Sequence, residues 1–177
     1  MTRTRGAIVE SFNHLVRERS YRSIQVPDIL DEAGVGRSTF YEHFKNKDAL
    51  LLQSASRFFE VLANAVNADC DPCALTHVTS HFAQVRKMAK DLLAGPAFES
   101  IANDIASRIR KTLRTRVANS PSSNVVLIDL GATQIAYAQL ALVREWLHAL
   151  EPCSPGQLAS LLHQTSVAMA DAIVSAK

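Results

Sequence analysis

Residues 24–50 read IQVPDILDEAGVGRSTFYEHFKNKDAL and contain two short amphipathic segments separated by a glycine turn. The first segment has apolar residues at helical spacing and Pro27 in its first turn, where a missing N–H costs little. Gly34 can adopt the left-handed conformation that ends a helix. The second segment is predicted to be a helix because Phe40 and Phe44 lie one turn apart. Two short helices joined by a tight turn predict a helix-turn-helix.

The residues before this stretch predict the helix that packs behind a helix-turn-helix. Ile8, Phe12, Leu15 and Val16 fall on one face of such a helix. This apolar face and the two phenylalanines can form a small core. The second segment is then the third helix of the chain, and its polar residues are left outside the core. In helix-turn-helix proteins that helix enters the major groove of DNA.

The outward side chains of the third helix are of types that bind DNA. Arg37 can contact a guanine edge or a phosphate through two parallel hydrogen bonds. Ser38 and Thr39 are short donors that let the helix approach closely. Tyr41 and His43 can donate to phosphate oxygens. We therefore expect the third helix to be the recognition helix.

Further basic residues flank these helices. Lys47 opens the fourth helix, where it adds charge to backbone N–H groups that attract a phosphate. Arg3 and Arg5 are expected on an N-terminal arm that touches the DNA backbone. Residues 1–50 contain eight Lys or Arg against seven Asp or Glu, so DNA binding requires one basic face rather than a general positive field.

Helical periodicity continues along the rest of the chain and predicts an all-α fold. A long fourth helix begins at the cap Asn46, and a fifth runs from Asp71-Pro72 to Gly95-Pro96. Two final helices are predicted over about 124–150 and 156–176. The sixth helix has a basic side that we expect to be solvated rather than a second DNA site. Its basic residues are Arg108, Arg110, Lys111, Arg114 and Arg116.

The composition is that of a globular protein with a substantial core. The chain has 177 residues, of which 47% are hydrophobic and 20% charged, and its formal net charge is +2. It is therefore not a polycation. We find no apolar run near the roughly 20 residues of a membrane-spanning helix, and no secretory leader. The expected location is the cytoplasm, with no membrane partner, and the three cysteines do not suggest a secreted disulfide scaffold.

Three segments resemble the signature of the tetracycline-repressor (TetR) family in order, spacing and position. They are Ile24–Ile29, Ala33–Val35 and Ser38–Leu50, and the resemblance covers roughly residues 5–52. It implies an all-helical homodimer with a variable C-terminal domain that binds an effector. The predicted organisation is a three-helix DNA-binding head over 1–46 and a helical effector-binding and dimerisation domain over 47–177.

The resemblance also implies a set of DNA contacts, and the sequence departs from the family pattern at a few of these positions. Gln25 stands where the family usually has Thr, and Gly36 where it usually has Ser. Ser38 replaces a usual small residue, and Ser20 stands where Gly is frequent. These departures affect base preference more than DNA binding itself. The predicted DNA-contacting residues are Gln25, Arg37, Ser38, Thr39, Tyr41, His43 and Lys47.

A Cys-x-x-Cys pair offers an alternative, metal- or redox-sensing function. Cys70 and Cys73 are followed by His77 and His81 at helical steps, so three of the four side chains would share one helix face. Thiols at a helix N-terminus also tend to have a lowered pKa. The ordinary interpretation is that Asp71 caps a helix and that the histidines have no ligand role. A small helical redox protein is the more remote alternative.

Aromatic residues in the C-terminal domain are candidates for an effector pocket, although each is also compatible with ordinary core packing. The candidates are Phe59, Phe82, Phe98, Tyr137 and Trp146.

The last two helices are rich in small residues, which allow close helix approach. A four-helix interface between two chains is preferred over a hairpin within one chain, because the hairpin alone would leave an unusually apolar surface. The small residues are Gly131, Ala132, Ala136, Ala138 and Ala141, then Ala159, Ala168, Ala170 and Ala172.

These observations predict a ligand-responsive transcriptional regulator, with repression favoured as its direction. It would bind a near-palindromic double-stranded operator as a dimer, with recognition helices spaced by about one duplex turn or a multiple of it. The effector is a small molecule. No nucleophile–base–acid set or phosphate-binding loop is found, so neither an enzyme activity nor a cofactor is expected.

Overall fold

The computed structural model describes residues 3–117, 125–150 and 152–176, which form ten α-helices and no strand. The predicted all-α class is therefore confirmed. The helices are α1 (Arg3–Glu18), α2 (Val26–Ala33), α3 (Arg37–His43), α4 (Lys47–Ser54), α5 (Ser56–Asn64), α6 (Pro72–Gln84), α7 (Arg86–Leu93), α8 (Ala97–Arg116), α9 (Val125–His148) and α10 (Pro155–Ser175).

The first three helices enclose the small apolar core that the sequence predicts. Ile8 and Phe12 of α1 and Phe40 of α3 are fully buried, and Phe44 is nearly so. Gly34 ends α2 with φ of 63°, and its N–H bonds to carbonyl oxygens of the last turn. Only glycine adopts this left-handed conformation without strain. The glycine therefore sets the turn that places α3 across α2.

Two helices that the sequence predicts to be continuous are each divided in the structure. Ala55 separates α4 from α5 with φ −95° and ψ 4°, and Val85 separates α6 from α7 with φ −104° and ψ 32°. Neither position has a glycine or proline, so local sequence does not signal the break.

We call α4–α10 the body of the protein, in contrast to the head formed by α1–α3. The helix α9 lies at the centre of the body and packs against α7, α8 and α10. Its 24 residues are long and apolar enough to cross a membrane by length and composition, with mean hydropathy 1.5 over the relevant window. The expectation that no apolar run approaches the length of a membrane-spanning helix is therefore wrong for α9. The side of α9 that faces α7, α8 and α10 belongs to the core, whereas Val125 and Leu130 are exposed. The buried Gln139 side chain fixes its position by donating to the Leu62 carbonyl at 3.0 Å and to Ser166 Oγ at 2.9 Å.

Candidate DNA-binding surface and ligand cavity

The helix α3 is held by its apolar side and exposes its polar side. Phe40 and Phe44 are buried with ring centroids 5.8 Å apart. On the opposite side Arg37 and Ser38 are exposed, and the Tyr41 side chain is 50% exposed. Thr39 and His43, also predicted DNA contacts, are half-buried at the edges of this face.

The polar residues of this face have no polar side-chain partners among the described residues. Within the described residues, no hydrogen bond or ion pair engages the side chains of Arg37, Ser38, Thr39, Tyr41 or His43. Tyr41 contacts only the edge of the Phe40 ring, at 5.3 Å between centroids. A polar group that is hydrated and unpaired in the free protein can exchange its water for a ligand at little cost.

Gln25 is exposed at the N-terminus of α2, beside the turn. Its backbone N–H donates to Asp28 Oδ2 at 2.6 Å. This hydrogen bond and the nearby Arg19 guanidinium lower the pKa of the Asp28 carboxyl. The backbone of Gln25 is therefore fixed by the helix start, while its side chain faces solvent.

Lys47, which was predicted to add charge at the start of the fourth helix, is half-buried and hydrogen-bonded within the protein. Its Nζ donates to the Tyr21 carbonyl at 2.7 Å and the Ile24 carbonyl at 2.6 Å. The same atom lies 4.1 Å from the centroid of the Tyr21 ring. Burial lowers the pKa of this ammonium group. Two of its three protons hold the turn that precedes α2.

Arg3 and Arg5 lie in the first turn of α1, not on a separate arm. Arg5 Nη2 donates to Gln53 Oε1 at 2.9 Å, and its guanidinium carbon lies 5.4 Å from the centroid of the Phe44 ring. Arg5 is thus tied to α4 and to the end of α3, whereas Arg3 is exposed.

The turn between α1 and α2 is hydrogen-bonded to the body. The Asp91 carboxylate on α7 accepts from Ser20 Oγ at 2.7 Å and from the Tyr21 N–H at 2.9 Å. Arg22 Nη2 donates to the Ala94 carbonyl, just after α7, at 3.0 Å. The end of α7 therefore holds the helix-turn-helix head directly.

A second junction passes through α4. The Asp48 carboxylate accepts a hydrogen bond from the Tyr21 hydroxyl and another from Ser100 Oγ on α8, at 3.1 Å. Burial and the Asp48 carboxylate both raise the pKa of Tyr21. Sequence reasoning missed both Asp48 and Asp91 as junction residues, because their partners lie 27 to 71 positions away along the chain.

A cavity of about 250 Å³ lies between α1 of the head and helices α4 to α9 of the body. Its lining is mostly apolar and includes both residues at the helix breaks, Ala55 and Val85. The breaks therefore bend α4–α5 and α6–α7 around this space. Among its apolar lining residues are Phe58, Phe59, Leu62, Phe82, Met88 and Leu92.

Two of the five predicted pocket residues, Phe59 and Phe82, line this cavity, and the other three do not. Phe98 and Tyr137 pair with each other elsewhere, with centroids 5.6 Å apart, and the Tyr137 hydroxyl donates to Glu99 at 2.7 Å. Trp146 Nε1 donates to the Cys153 carbonyl at 2.8 Å. These three residues of α8 and α9 therefore lie outside this cavity.

The structure does not favour the metal- or redox-sensing alternative at the cysteines and histidines. Burial raises the pKa of the Cys70 thiol, opposite to the lowered value expected for a reactive thiol, whereas Cys73 is exposed. The His81 ring stacks on Phe58 at 4.6 Å between centroids, and burial, with a smaller effect of His77, lowers its pKa. Among the described residues no group of three side chains could hold a metal ion. Asp71 caps α6 as predicted, accepting from the Cys73 N–H at 2.9 Å.

Comparisons with known proteins place this fold. Residues 8–53 match the family model of the bacterial regulatory proteins of the tetR family. The HTH-type dhaKLM operon transcriptional activator DhaS of Lactococcus lactis subsp. lactis (strain IL1403) is 34% identical over 61 residues. That match spans 34% of this chain and 33% of DhaS, so the chain spans about a third of the length of this curated relative.

Solved structures match almost the whole chain. A TetR transcriptional regulator from Streptococcus agalactiae 2603V is 25% identical, with a TM-score of 0.57 over 92% of this chain and 93% of that one. Thermus thermophilus FadR, a TetR-family repressor in complex with lauroyl-CoA, shares the fold at 16% identity, with a TM-score of 0.54 over 94% of this chain and 92% of that one. The N-terminal domain of this chain thus matches the tetR family of bacterial regulatory proteins, and its overall fold is similar to that of solved TetR-family regulators.

Proposed function

We propose that this protein is a transcriptional regulator that binds operator DNA as a homodimer through α3 and responds to a small molecule in its cavity. The observation that supports this most is the face of α3, where exposed polar side chains have no partner among the described residues although the helix is fixed by two buried phenylalanines. We further propose a cytoplasmic location, no catalytic role, and repression as the direction of control.

In this proposal α3 enters the major groove with its N-terminus first. Arg37 lies in the first turn of α3, where it contacts a base edge or a phosphate. Ser38 and Thr39 accompany it, and Tyr41 and His43 donate to phosphate oxygens. Gln25 approaches the backbone from the start of α2. Lys47 contributes at most its one remaining proton, since the other two are bound within the protein.

The proposed dimer forms through α9 and α10. Gly131, Ala132 and Ala136 are buried within the protomer, and a Cβ at Gly131 would overlap the side chain of Ile173. Their role is close packing of α9 on α10. The outer faces of the two helices carry exposed apolar and small residues instead, and such a surface suits a four-helix interface. These residues include Leu130, Leu161, Ala168 and Ala172.

The proposed coupling between ligand and DNA runs through α1 and α7. Both helices line the cavity, and the end of α7 holds the turn after α1 through Asp91. The head would comprise residues 1–46 and the ligand and dimer domain residues 47–177. A ligand that fits better when α7 is displaced would shift the heads away from the spacing that DNA requires.

The test is fluorescence anisotropy of the purified protein on its own upstream intergenic DNA, across a salt series. The expected result is saturable binding at two protomers per site, which prefers that sequence over a scrambled duplex and weakens with salt. Equal and weak binding to the upstream and the scrambled duplex would contradict operator recognition there. Selection of preferred sequences from random duplexes then locates an operator elsewhere, and selection without enrichment would overturn the proposal.

A further inference from the structure

The cavity between α1 and the body has an unusual charge composition for an apolar pocket. Among the described residues that line it, Arg17 is the one Lys or Arg, and no Asp or Glu is present. His81 also lines the cavity, but burial lowers its pKa, so this ring is neutral near pH 7. The lining therefore has one positive charge and no negative charge.

Arg17 lies where it can hold a ligand rather than a protein partner. It is the exposed member of a lining whose other residues are buried or half-buried, so it marks the mouth of the cavity. Within the part of the chain that the structure describes, its guanidinium has no hydrogen bond or ion pair. By contrast, Arg19 nearby on the chain pairs with Asp28 at 3.2 Å.

A second polar group lies beside Arg17. Asn13 precedes it by four residues on α1, so the two side chains share one face of the helix, and both line the cavity. The Asn13 side chain is half-buried, and no described residue hydrogen-bonds to it. A guanidinium and a carboxamide one turn apart provide several N–H donors, which suit the two oxygens of a carboxylate.

We propose that this cavity binds a small amphipathic carboxylate, whose apolar part lies among the aromatic residues of α5 and α6 and whose carboxylate is held by Arg17 and Asn13 at the mouth. The volume of about 250 Å³ limits the ligand to on the order of ten non-hydrogen atoms, taking about 30 Å³ for each as for liquid water. Eight-carbon acids are of this size. The inference rests on the proposed function only for its regulatory consequence.

That consequence follows from the position of the anion site on the head. Arg17 and Asn13 belong to α1, which also packs in the core of the head through Ile8 and Phe12. The apolar part of the same ligand would contact α5, α6 and α7 of the body. One ligand molecule would therefore contact both the head and the body, and its binding energy would depend on how the two are placed.

The test is isothermal titration calorimetry of the full chain with octanoate, 1-octanol and octylamine. Octanoate is expected to bind, 1-octanol to bind at least about tenfold more weakly, and octylammonium not to bind, since a hydrogen-bonded charge is lost or reversed. Arg17→Met keeps the apolar stem and should weaken octanoate binding about tenfold or more without changing 1-octanol binding. Arg57→Met removes an exposed arginine of α5 outside the cavity and should change neither.

A third variant tests whether binding takes place in this cavity. Met88→Trp adds bulk inside the cavity and should remove binding of both octanoate and 1-octanol, with melting curves confirming that the variant is folded. The proposal is overturned if octanoate does not bind, if 1-octanol binds as tightly as octanoate, or if Arg17→Met leaves octanoate binding unchanged. Operator binding is measured separately by anisotropy. Arg17-dependent binding of octanoate that leaves DNA affinity unaltered would uphold the ligand class and contradict the proposed coupling.

Discussion

The helices α3 and α8 both present arginine on an outward face, but the surroundings of those arginines differ. On α8, Arg108 pairs with Asp104 at 2.7 Å, while Arg110 and Arg114 share Asp129 at 3.1 and 2.8 Å. Arg116, at the end of the helix, pairs with Asp171 of α10. On α3, Arg37 and its polar neighbours have no such partner among the described residues.

This difference teaches that the number of basic residues on a helix does not identify a DNA-binding surface. Affinity for DNA comes from cations that neutralise phosphates and release counterions, and a cation already paired with a carboxylate contributes little net charge. All four arginines on the basic side of α8 are therefore in ion pairs, with carboxylates on α8, α9 and α10. The polar face of α3 has no such carboxylate partner among the described residues and is available to phosphates.

The largest effect is expected from replacing Arg37 and Tyr41 together by alanine. Operator affinity should fall about a thousandfold, to the level of non-specific binding, because base and phosphate contacts are lost together. The matched control is Arg110→Ala with Arg114→Ala on α8, which should change operator affinity less than about threefold. Anisotropy measures both, and sedimentation checks that the dimer persists. Equal losses of operator affinity in the two double variants would contradict the conclusion that α3, and not the basic side of α8, binds DNA.

Alanine substitutions on the buried side of α3 should reduce the stability of the protein, whereas substitutions on its exposed side should reduce DNA affinity and hardly affect stability. Phe40→Ala removes a fully buried ring and is expected to lower the free energy of unfolding by about 3–5 kcal/mol. Tyr41→Ala, one residue later and half exposed, should cost less than about 1 kcal/mol. Urea denaturation followed by circular dichroism measures both. A loss for Tyr41→Ala as large as that for Phe40→Ala would mean that the exposed face also supports the head.

Lys47 tests whether a cation that is already hydrogen-bonded within the protein contributes to DNA binding, because it belongs to the head but donates to two carbonyls. Lys47→Met should lower the free energy of unfolding by about 1–3 kcal/mol, since two carbonyls lose a charged donor. The salt dependence of DNA binding should stay nearly unchanged. By contrast, Arg37→Ala should reduce the slope of log affinity against log salt by about one. If the slope of log affinity against log salt fell as much for Lys47→Met, Lys47 would be a residue that contacts DNA phosphates.

The smallest effect is expected from releasing cations on α8. Asp129→Asn leaves Arg110 and Arg114 without their shared carboxylate, and it should raise affinity for non-specific duplex DNA by a few fold at low salt. The measurement is anisotropy on a scrambled duplex at two salt concentrations. Asp69→Asn is a matched control, since this exposed carboxylate pairs with no arginine of the described chain. An equal rise in both variants would mean that net charge alone is responsible.

Much of the head could be predicted from the sequence because its determinants are local. Gly34 ends α2, Asn46 caps α4 by accepting from the Ala49 N–H at 2.8 Å, and Phe40 and Phe44 are one turn apart. Each of these features needs only residues within a few positions of each other. The two final helices were likewise predicted to within a few residues at their described ends.

The cavity and the ion pairs could not be predicted, since they depend on residues far apart in sequence. Aromatic content pointed equally to Phe82 and Phe98, and only the rotation of each helix decides that Phe82 lines the cavity. The positions of Asp129 and Asp171 next to the arginines of α8 depend on how α9 and α10 pack. The same holds for Lys47, whose two acceptors are carbonyls at the turn before α2.

The shortness of α3 limits the information that one protein chain can read. Seven helical residues span about 10 Å at 1.5 Å each, which is about three steps of a duplex at 3.4 Å per step. A pattern of about four base pairs recurs by chance once in a few hundred positions, so a chromosome offers very many copies of it. Two heads at a fixed spacing multiply these odds to about one in tens of thousands. Selection of one site in a chromosome therefore depends on the fixed spacing of the two heads as well as on the side chains that touch the bases.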